Sequence, residues 1–501
     1  MTSSAGHADV LVIGAGSAGC ALTRRLIDAS RSVVLLEAGD QTVREAVTDP
    51  LRMHELWHTS VDWDFHTVPQ EFAHRRRLHL PRGKVVGGSH ALNAMIWVRG
   101  NAADYDTWAS LGNTDWSWAL VKPVFERIEK RHEVLTAYQP HPVHRSIVEA
   151  AVEYGLPYNA DYNGETQDGV SYVQLTVRDG RRLMTADAYL GPVLDDPLLS
   201  LVSSAKVRRL LFDGTRCIGA EYEKDGEVRT VTADRTVLCA GALGSPILLQ
   251  RSGVGDGDDL RALDIPVVAA LRGVGRNLQD HWLVPVVLGV DRAVTPMAGL
   301  PVCQSHLFWR SRSDLAVPDL QPLMFGASLV TDWMQPPEHG ITFMAGIVRP
   351  ASHGTVRLTV ADPSVDPVAA ADIDPRALSA PEDVDAMIAA VRLCREIAAQ
   401  PALRAGWGAR EVYPASLGTT TDLLRDYVRE TVVTYHHQAG TCAMGAGDDA
   451  VVDQGLRVHG VDDLWVADAS VMPAVPTGNT NAPVVMIAER AADLLLAGTA
   501  S

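Results

Sequence analysis

The sequence predicts two architectures in one chain: an α/β part on a parallel sheet, and an α+β part on an antiparallel sheet backed by helices. Three observations carry this. A short apolar strand near the start runs into a glycine-rich turn, followed by a helical and then a strand pattern. Between about 285 and 415, prolines, tryptophans and alternating apolar residues take over. The end of the chain returns to α/β character. A length of 501 residues agrees with more than one core, because single cores stop growing near about 250–300 residues.

In chain order, residues 10–13 form the first strand, 18–29 have helical spacing, and 32–36 form a second strand ending at Glu37. Strand, helix and strand make a βαβ unit, with the helix crossing over a parallel pair. Residues 81–100 read as a glycine-rich loop entering an apolar, helix-like stretch, and 101–132 as amphipathic helices. Strands follow at 199–202, 207–212, 218–222 and 228–231, then a buried strand at 236–242 ending in a small-residue turn. The alternation over 354–360 places a strand in the antiparallel domain. Residues 464–468 are a strand and 481–496 a helix. No internal repeats or low-complexity tracts stand out.

Composition excludes several functions. The net charge of −17 disfavours nucleic acid and anionic membranes as partners. The six cysteines are scattered, with no C-x-x-C pair and no His/Cys cluster at zinc spacing. Neither a disulfide framework nor a structural metal is expected. Residues 1–7 lack a basic start followed by an apolar run, so no secretory signal is read. No apolar stretch approaches the roughly 18 residues of a spanning helix. A cytoplasmic location is the default expectation.

The first chemical motif is Gly14-x-Gly16-x-x-Gly19, with Glu37 ending the next strand. Gly14 permits the tight turn, Gly16 lets the backbone approach a pyrophosphate, and Gly19 lets helix pack on strand. The helix N-terminus presents N–H groups to the phosphates, and Glu37 accepts from a ribose. The turn alone identifies a dinucleotide. Its place near the start, with matching elements downstream, favours FAD over NAD.

Four later segments matter: Arg82-Gly83-Lys84-Val85-Val86-Gly87-Gly88-Ser89-His90-Ala91-Leu92-Asn93; residues 241–255, leading to Asn277-Leu278-Gln279-Asp280-His281; Tyr435-His436-His437-Gln438-Ala439-Gly440-Thr441; and Asp468-Ala469-Ser470 followed by Gly478-Asn479-Thr480-Asn481. With these in order, the chain resembles the glucose–methanol–choline (GMC) oxidoreductase family over roughly residues 9–496. It looks most like the bacterial alcohol, choline, hydroxymethylfurfural and pyridoxine oxidases and dehydrogenases.

The resemblance implies a Rossmann-like FAD-binding domain built from discontinuous pieces and an antiparallel-sheet substrate domain. The expected division is FAD-binding at 1–155, with a lid-like segment near 40–80; a substrate-domain insertion at 156–195; FAD-binding at 196–284; the substrate domain at 285–450; and FAD-binding at 451–501.

It also implies residue roles. His437, set before Gly440-Thr441, accepts the alcohol proton or stabilises the alkoxide while the hydride passes to flavin N5, and Asn479 orients the substrate oxygen. An imidazole of near-neutral pKa is an efficient base. On an extended segment neighbouring side chains point to opposite sides, so His436 is expected in a supporting place. Cofactor contacts are implied at Gly14, Gly16, Ser17, Ala18, Gly19, Glu37, Ala38, Val85, Gly88, Ser89, Asn93, Ala94, Met95, Val207, Asp468, Ala469, Thr480 and Asn481. Asp468 also reads as a cap for the next turn. Some relatives attach FAD covalently through a histidine next to the Asn93 position. Leu92 stands there, so FAD is expected to bind non-covalently, with His90 as a satisfied polar group.

Candidate substrate-wall residues are Trp63, His306, Phe308, Met324, Phe325, Trp333 and His436. Gln438 departs from the proline usual after the catalytic histidine. The expected function is oxidation of a primary or secondary alcohol to aldehyde or ketone. Electrons pass to O2 or to a quinone, dye or protein acceptor, and the enzyme is a monomer or homodimer. The alternatives are lyase-type flavin chemistry, a non-catalytic flavin-binding protein, and a nicotinamide enzyme.

Overall fold

A computed structural model describes residues 4–41, 44–418 and 420–497. Residues 1–3 of the N-terminal stretch, 42 and 43 of the lid-like segment, and 498–501 of the last FAD-binding piece lie outside the described residues.

Strand β1 (Ser4–Ile13), helix α1 (Ser17–Asp28) and strand β2 (Val33–Leu36) form the expected βαβ unit. β1 and β2 pair in parallel from Val10↔Val33 to Ile13↔Leu36. All four residues of β2 are buried, as expected of a strand covered on both faces. The sheet continues in parallel to Leu199–Val202 beyond β2 and to Glu227–Leu238 beyond β1. On the far side of Glu227–Leu238, Arg216–Lys224 and Lys206–Asp213 add an antiparallel meander. Leu464–Val466 pairs with Glu227–Leu238 in parallel, bringing the end of the chain back to its beginning. The last helix, Asn481–Ala497, packs along α1, where Arg25 pairs with the buried Glu489 and, at 2.6 Å, with Asp493.

A second seven-stranded sheet is antiparallel throughout. Its order is Arg410–Tyr413, Trp282–Gly289, Gly340–Ile347, Leu323–Phe325, Cys303–Phe308 and Gly169–Tyr172, with Val433–Thr434 also beside Trp282–Gly289. One face packs against the helices Pro142–Tyr154, Pro381–Ala398 and Thr421–Thr431. Trp282, Val284, Val286, Met324 and Phe343 point into that core. The intervening residues Leu283, Pro285, Leu323, Phe325 and Met344 point to the other face, toward a cavity. The period-2 alternation of a strand separates the two sets.

Three local expectations are corrected. Residues 92–100 are irregular, not helical, because their backbone bonds reach another segment: Trp97 N donates to Gln174 O and Thr176 N to Met95 O. The strands expected at 228–231 and 236–242 form one strand, Glu227–Leu238, and a helix starts at Gly241. Thr355–Leu358 pairs only with Ala371–Asp374, outside the large antiparallel sheet. The Gln250 side chain ties this strand to the helix Gly241–Arg251, accepting from Leu358 N at 2.8 Å and donating to Val356 O at 3.1 Å. Alternation identifies a strand, but not its partner.

All six cysteines are buried and unpaired. Among the described residues, no helix is long and apolar enough to cross a membrane.

Candidate active site

A cavity of ≈ 1070 Å³ runs from the glycine turn, past the loop at Gly88, to His436, His437 and Asn479. The apolar face of the antiparallel sheet and the segment around Met53, Trp57 and His58 wall its other end.

At the first end, two glycines make a narrow cradle. A Cβ on Gly88, whose φ is +55°, would lie 2.6 Å from Gly16 Cα. A Cβ on Gly19 would lie 1.8 Å from Gly14 O, so only glycine lets α1 start this close to the turn. Ser17 Oγ donates to Asn481 Oδ1 at 2.6 Å, joining the start of α1 to the start of the last helix. The Glu37 carboxylate accepts from Ala15 N at 2.9 Å and Gly39 N at 2.8 Å. Burial pushes its carboxyl up to about 7, against the pull of these N–H groups. Asp468 accepts from Ser470 N at 2.8 Å, Gly241 N at 2.8 Å and Ser245 Oγ at 2.6 Å. Its contacts are those of a cap on two turns, and it also borders the cavity. A helix N-terminus, a backbone groove without side chains and a buried acid fit the pyrophosphate and ribose of a dinucleotide.

At the other end, hydrogen bonds order a histidine. Gln321 Nε2 donates to Asn479 Oδ1 at 3.0 Å, so the Asn479 amide turns its Nδ2 toward His437 Nε2, 3.3 Å away. An amide N–H can only donate, which leaves His437 Nε2 unprotonated and its proton on Nδ1. That Nδ1 meets His281 Nδ1 at 2.9 Å, so His281 accepts there and carries its own proton on Nε2. Behind them, Asp280 accepts from His437 N at 2.8 Å and from the side chains of Thr434 and Gln438. Burial raises the Asp280 carboxyl to about 6. The Tyr435 ring stacks on His437 at 4.6 Å.

Burial, then the neighbouring His281, His436 and Arg82, hold the His437 imidazole well below its usual range. The near-neutral value expected from sequence does not fit so buried a ring. What the site enforces is a neutral imidazole with its Nε2 lone pair facing Asn479.

The structure brings to the cavity Gly14, Gly16, Ser17, Ala18, Glu37, Ala38, Gly88, Ser89, Asn93, Ala94, Val207, Asp468, Ala469, Asn479, Thr480 and Asn481, with Trp63, Phe325, Trp333, His436 and His437. It does not bring Gly19, Val85, Met95, His306, Phe308 or Met324 to its wall. Met324 points to the helix-covered face of the sheet. His306 is buried behind Gln321, its Nδ1 3.2 Å from Gln321 Nε2. His436 reaches the cavity as a wall candidate should, but the extended alternation expected of it fails. Its φ of +66° breaks the extended alternation, so both adjacent histidines reach the cavity. The Arg82 guanidinium donates to its carbonyl at 2.6 Å. His90 is buried away from the cavity between Thr185 Oγ1 at 2.9 Å and Thr176 Oγ1 at 3.0 Å.

Sequence reasoning gave no role to His281, Asp280 or Gln321. The run Gln279-Asp280-His281 stood among the noted segments, but its nearness to His437 is set by the pairing Trp282↔Thr434 between distant strands. Folding also gathers His58, Asp64 and His66, and Asp62, Asp64 and His79, with ligand-type atoms within 4.8 Å. His58 Nδ1 bonds Asp64 Oδ1 at 2.7 Å and His79 Nε2 bonds Asp62 Oδ2 at 3.1 Å.

Two family models described as GMC oxidoreductase match residues 8–283 and 350–488. A mouse (Mus musculus) protein named choline dehydrogenase, mitochondrial, is 39% identical, covering 97% of this chain and 89% of its own length. A Pseudomonas putida protein named alcohol dehydrogenase [acceptor] is 33% identical, covering 97% of this chain and 95% of its own. The crystal structure of pyridoxine 4-oxidase from Mesorbium loti superposes with a TM-score of 0.90 at 33% identity, covering 97% of this chain and 98% of that one.

Proposed function

The chain belongs to the GMC oxidoreductase family, and we propose that it oxidises an alcohol to an aldehyde or ketone with His437 as the base. It is an FAD-dependent oxidoreductase. The observation that carries the proposal is the pair at 3.3 Å: His437 Nε2, held free of a proton, beside the Asn479 amide on the cavity wall. A substrate hydroxyl set between them gives its proton to Nε2 while Asn479 Nδ2 donates to the same oxygen. When bound, FAD supplies the acceptor for the carbinol hydride. The relatives named choline dehydrogenase and alcohol dehydrogenase support this reaction class.

The residues assigned to FAD are those along the glycine end. Gly14, Gly16, Ser17 and Ala18 take the pyrophosphate, Glu37 the ribose and Val207 the adenine. Gly88, Ser89, Asn93 and Ala94 take the middle of the molecule, and Asp468, Ala469, Thr480 and Asn481 the flavin end. No histidine stands at position 92, which supports non-covalent binding. We divide the chain as FAD-binding at 1–155, 196–284 and 451–501, and substrate-binding at 156–195 and 285–450. The return of Leu464–Val466 to the first sheet and the place of Gly169–Tyr172 in the second support this division. O2 or a quinone or protein carrier reoxidises the flavin.

The test is anaerobic mixing of the FAD-loaded protein with a panel of alcohols while flavin absorbance is followed. Wild type is expected to bleach, and His437→Ala to bleach about 10²–10⁴-fold more slowly. Equal rates would remove His437 from the role of base. Following H2O2 in air separates an oxidase from a dehydrogenase.

A further inference from the structure

The substrate end of the cavity has a composition of its own. Leu283 pairs with Val433, and Leu323 with Met344, across antiparallel strands. Phe325, two residues along from Leu323, shares their face. Tyr435 completes this wall and stacks on His437. Leu283, Leu323, Phe325, Met344 and Tyr435 are buried, and all belong to one apolar cluster.

Charge is arranged against a cation here. Among the described residues, the acidic side chains lining the cavity are Glu37, Asp332, Glu430 and Asp468. Glu37 and Asp468 are committed to backbone N–H groups at the cofactor end. Asp332 is exposed and the Glu430 side chain is 43% exposed, beside Arg76 at the far end from the glycine turn. Asp280, behind His437, is already engaged by three donors. Asp280 lies off the cavity wall, whereas the buried Arg82 guanidinium, which is positive, lines the cavity and bonds the His436 carbonyl. One face of the Tyr435 ring is taken by His437. A quaternary ammonium group would give up its water for an apolar wall and a like charge, with no free carboxylate on the wall beside the histidines in return.

We propose that the substrate is an uncharged alcohol with an apolar body, seated against the Leu283–Leu323–Phe325–Met344 wall with its hydroxyl at His437 and Asn479, and that choline-type alcohols are excluded. This rests on the alcohol-oxidation reading above. In the reaction R–CH2OH becomes R–CHO, with the hydroxyl proton going to His437 and the carbinol hydride to FAD as oxidant.

The test has a binding arm and a reduction arm, both on the FAD-loaded enzyme. Tertiary alcohols R–C(CH3)2OH carry no carbinol hydride, so calorimetry reports seating without turnover. Their Kd is expected to fall roughly fourfold per added methylene until the wall is filled. Leu323→Ala should weaken the longer members and leave the shortest unchanged. In the reduction arm, hexan-1-ol should bleach the flavin with a kcat/KM at least about 100-fold above that of choline. A Kd flat with chain length, an unchanged long-chain Kd in Leu323→Ala, or choline equal to hexan-1-ol would each overturn the proposal. The two readings separate cleanly. Graded binding with no bleaching by any alcohol removes alcohol oxidation and keeps the wall. Bleaching led by choline keeps alcohol oxidation and removes the wall.

Discussion

The Nδ1 atoms of His281 and His437 lie 2.9 Å apart, and both rings are buried. One must donate and the other accept, and the donor from Asn479 at the opposite edge of His437 settles which. His281 therefore holds the ring of the proposed base in one tautomer and one orientation, a task often given to the partner of a catalytic histidine.

Removing that partner should be costly without touching substrate. His281→Ala is expected to slow anaerobic flavin reduction by about 10²-fold, while His281→Gln, whose side-chain oxygen can still accept a hydrogen bond from His437 Nδ1, recovers part of the rate. In His281→Ala the plateau toward high pH should be lower but keep its shape, because the two neutral tautomers of His437 carry the same number of protons. Stopped-flow reduction across pH checks this. Equal rates and profiles in all three proteins would leave His281 a packing residue.

Gln321 reaches the reaction only through Asn479. Its Nε2 donates to Asn479 Oδ1 at 3.0 Å, so Gln321→Leu frees the amide to turn its oxygen toward His437. The expected result is a drop in kcat of roughly tenfold with KM little changed, since a transition-state contact is weakened rather than uniform binding. Steady-state kinetics of Gln321→Leu beside Asn479→Ala, in which the loss should be at least as large, gives the measurement.

Gly88→Ala tests the cradle. The added methyl meets Gly16 Cα at 2.6 Å at a φ of +55°, so the two backbones must part where a pyrophosphate is expected. The purified variant should lack most of its yellow colour and need at least about tenfold more FAD to regain it. Wild-type flavin content in Gly88→Ala would show that the groove tolerates the spread.

Stability should fall on the acid side. His144 is buried neutral, with Nδ1 2.8 Å from Ser305 Oγ and Nε2 3.1 Å from Val302 O, and burial lowers its imidazole to about 3. An unfolded histidine binds its proton near about 6.5. The stability it contributes is therefore present above that pH and is lost as pH falls toward 3, where the folded state binds the proton too. Within the window each such residue steepens the loss by about 1.4 kcal/mol per pH unit. His144→Gln, distant from the reactive pair in sequence and held by other partners, should flatten urea-unfolding stability between pH 6 and 4 by one proton. An unchanged slope would mean that His144 titrates normally.

The βαβ unit is legible in the sequence because its signals are local: four apolar residues, glycines at fixed offsets, a helical period and an acid at a strand end. The pair His437 and Asn479 is read through the family resemblance, and in the structure the two side chains meet. The misreadings share a cause. Residues 92–100 look helical because they are apolar, yet their backbone partners lie near residues 174–176. Met324 looks like a wall residue because it is soft and apolar, but its strand phase turns it to the helices, while Leu323 and Phe325 on either side line the cavity. His436 was expected to alternate with His437 on an extended segment, and a left-handed backbone angle overrides that alternation.

Local spacing by itself determined the dinucleotide turn, the helix and strand that flank it, and the change of architecture along the chain. Each depends on residues a few positions apart, where steric and hydrogen-bonding preferences act directly. The tertiary structure decided which nitrogen of His437 stays free of a proton, which sheet face lines the cavity, and the place of the buried Asp280 carboxylate behind the ring. Those properties depend on hydrogen bonds such as Asp280–His437, His281–His437 and Gln321–Asn479, each spanning more than 150 positions. Tautomer, face and local charge are set by what folding places opposite a residue, and chain spacing carries no record of that.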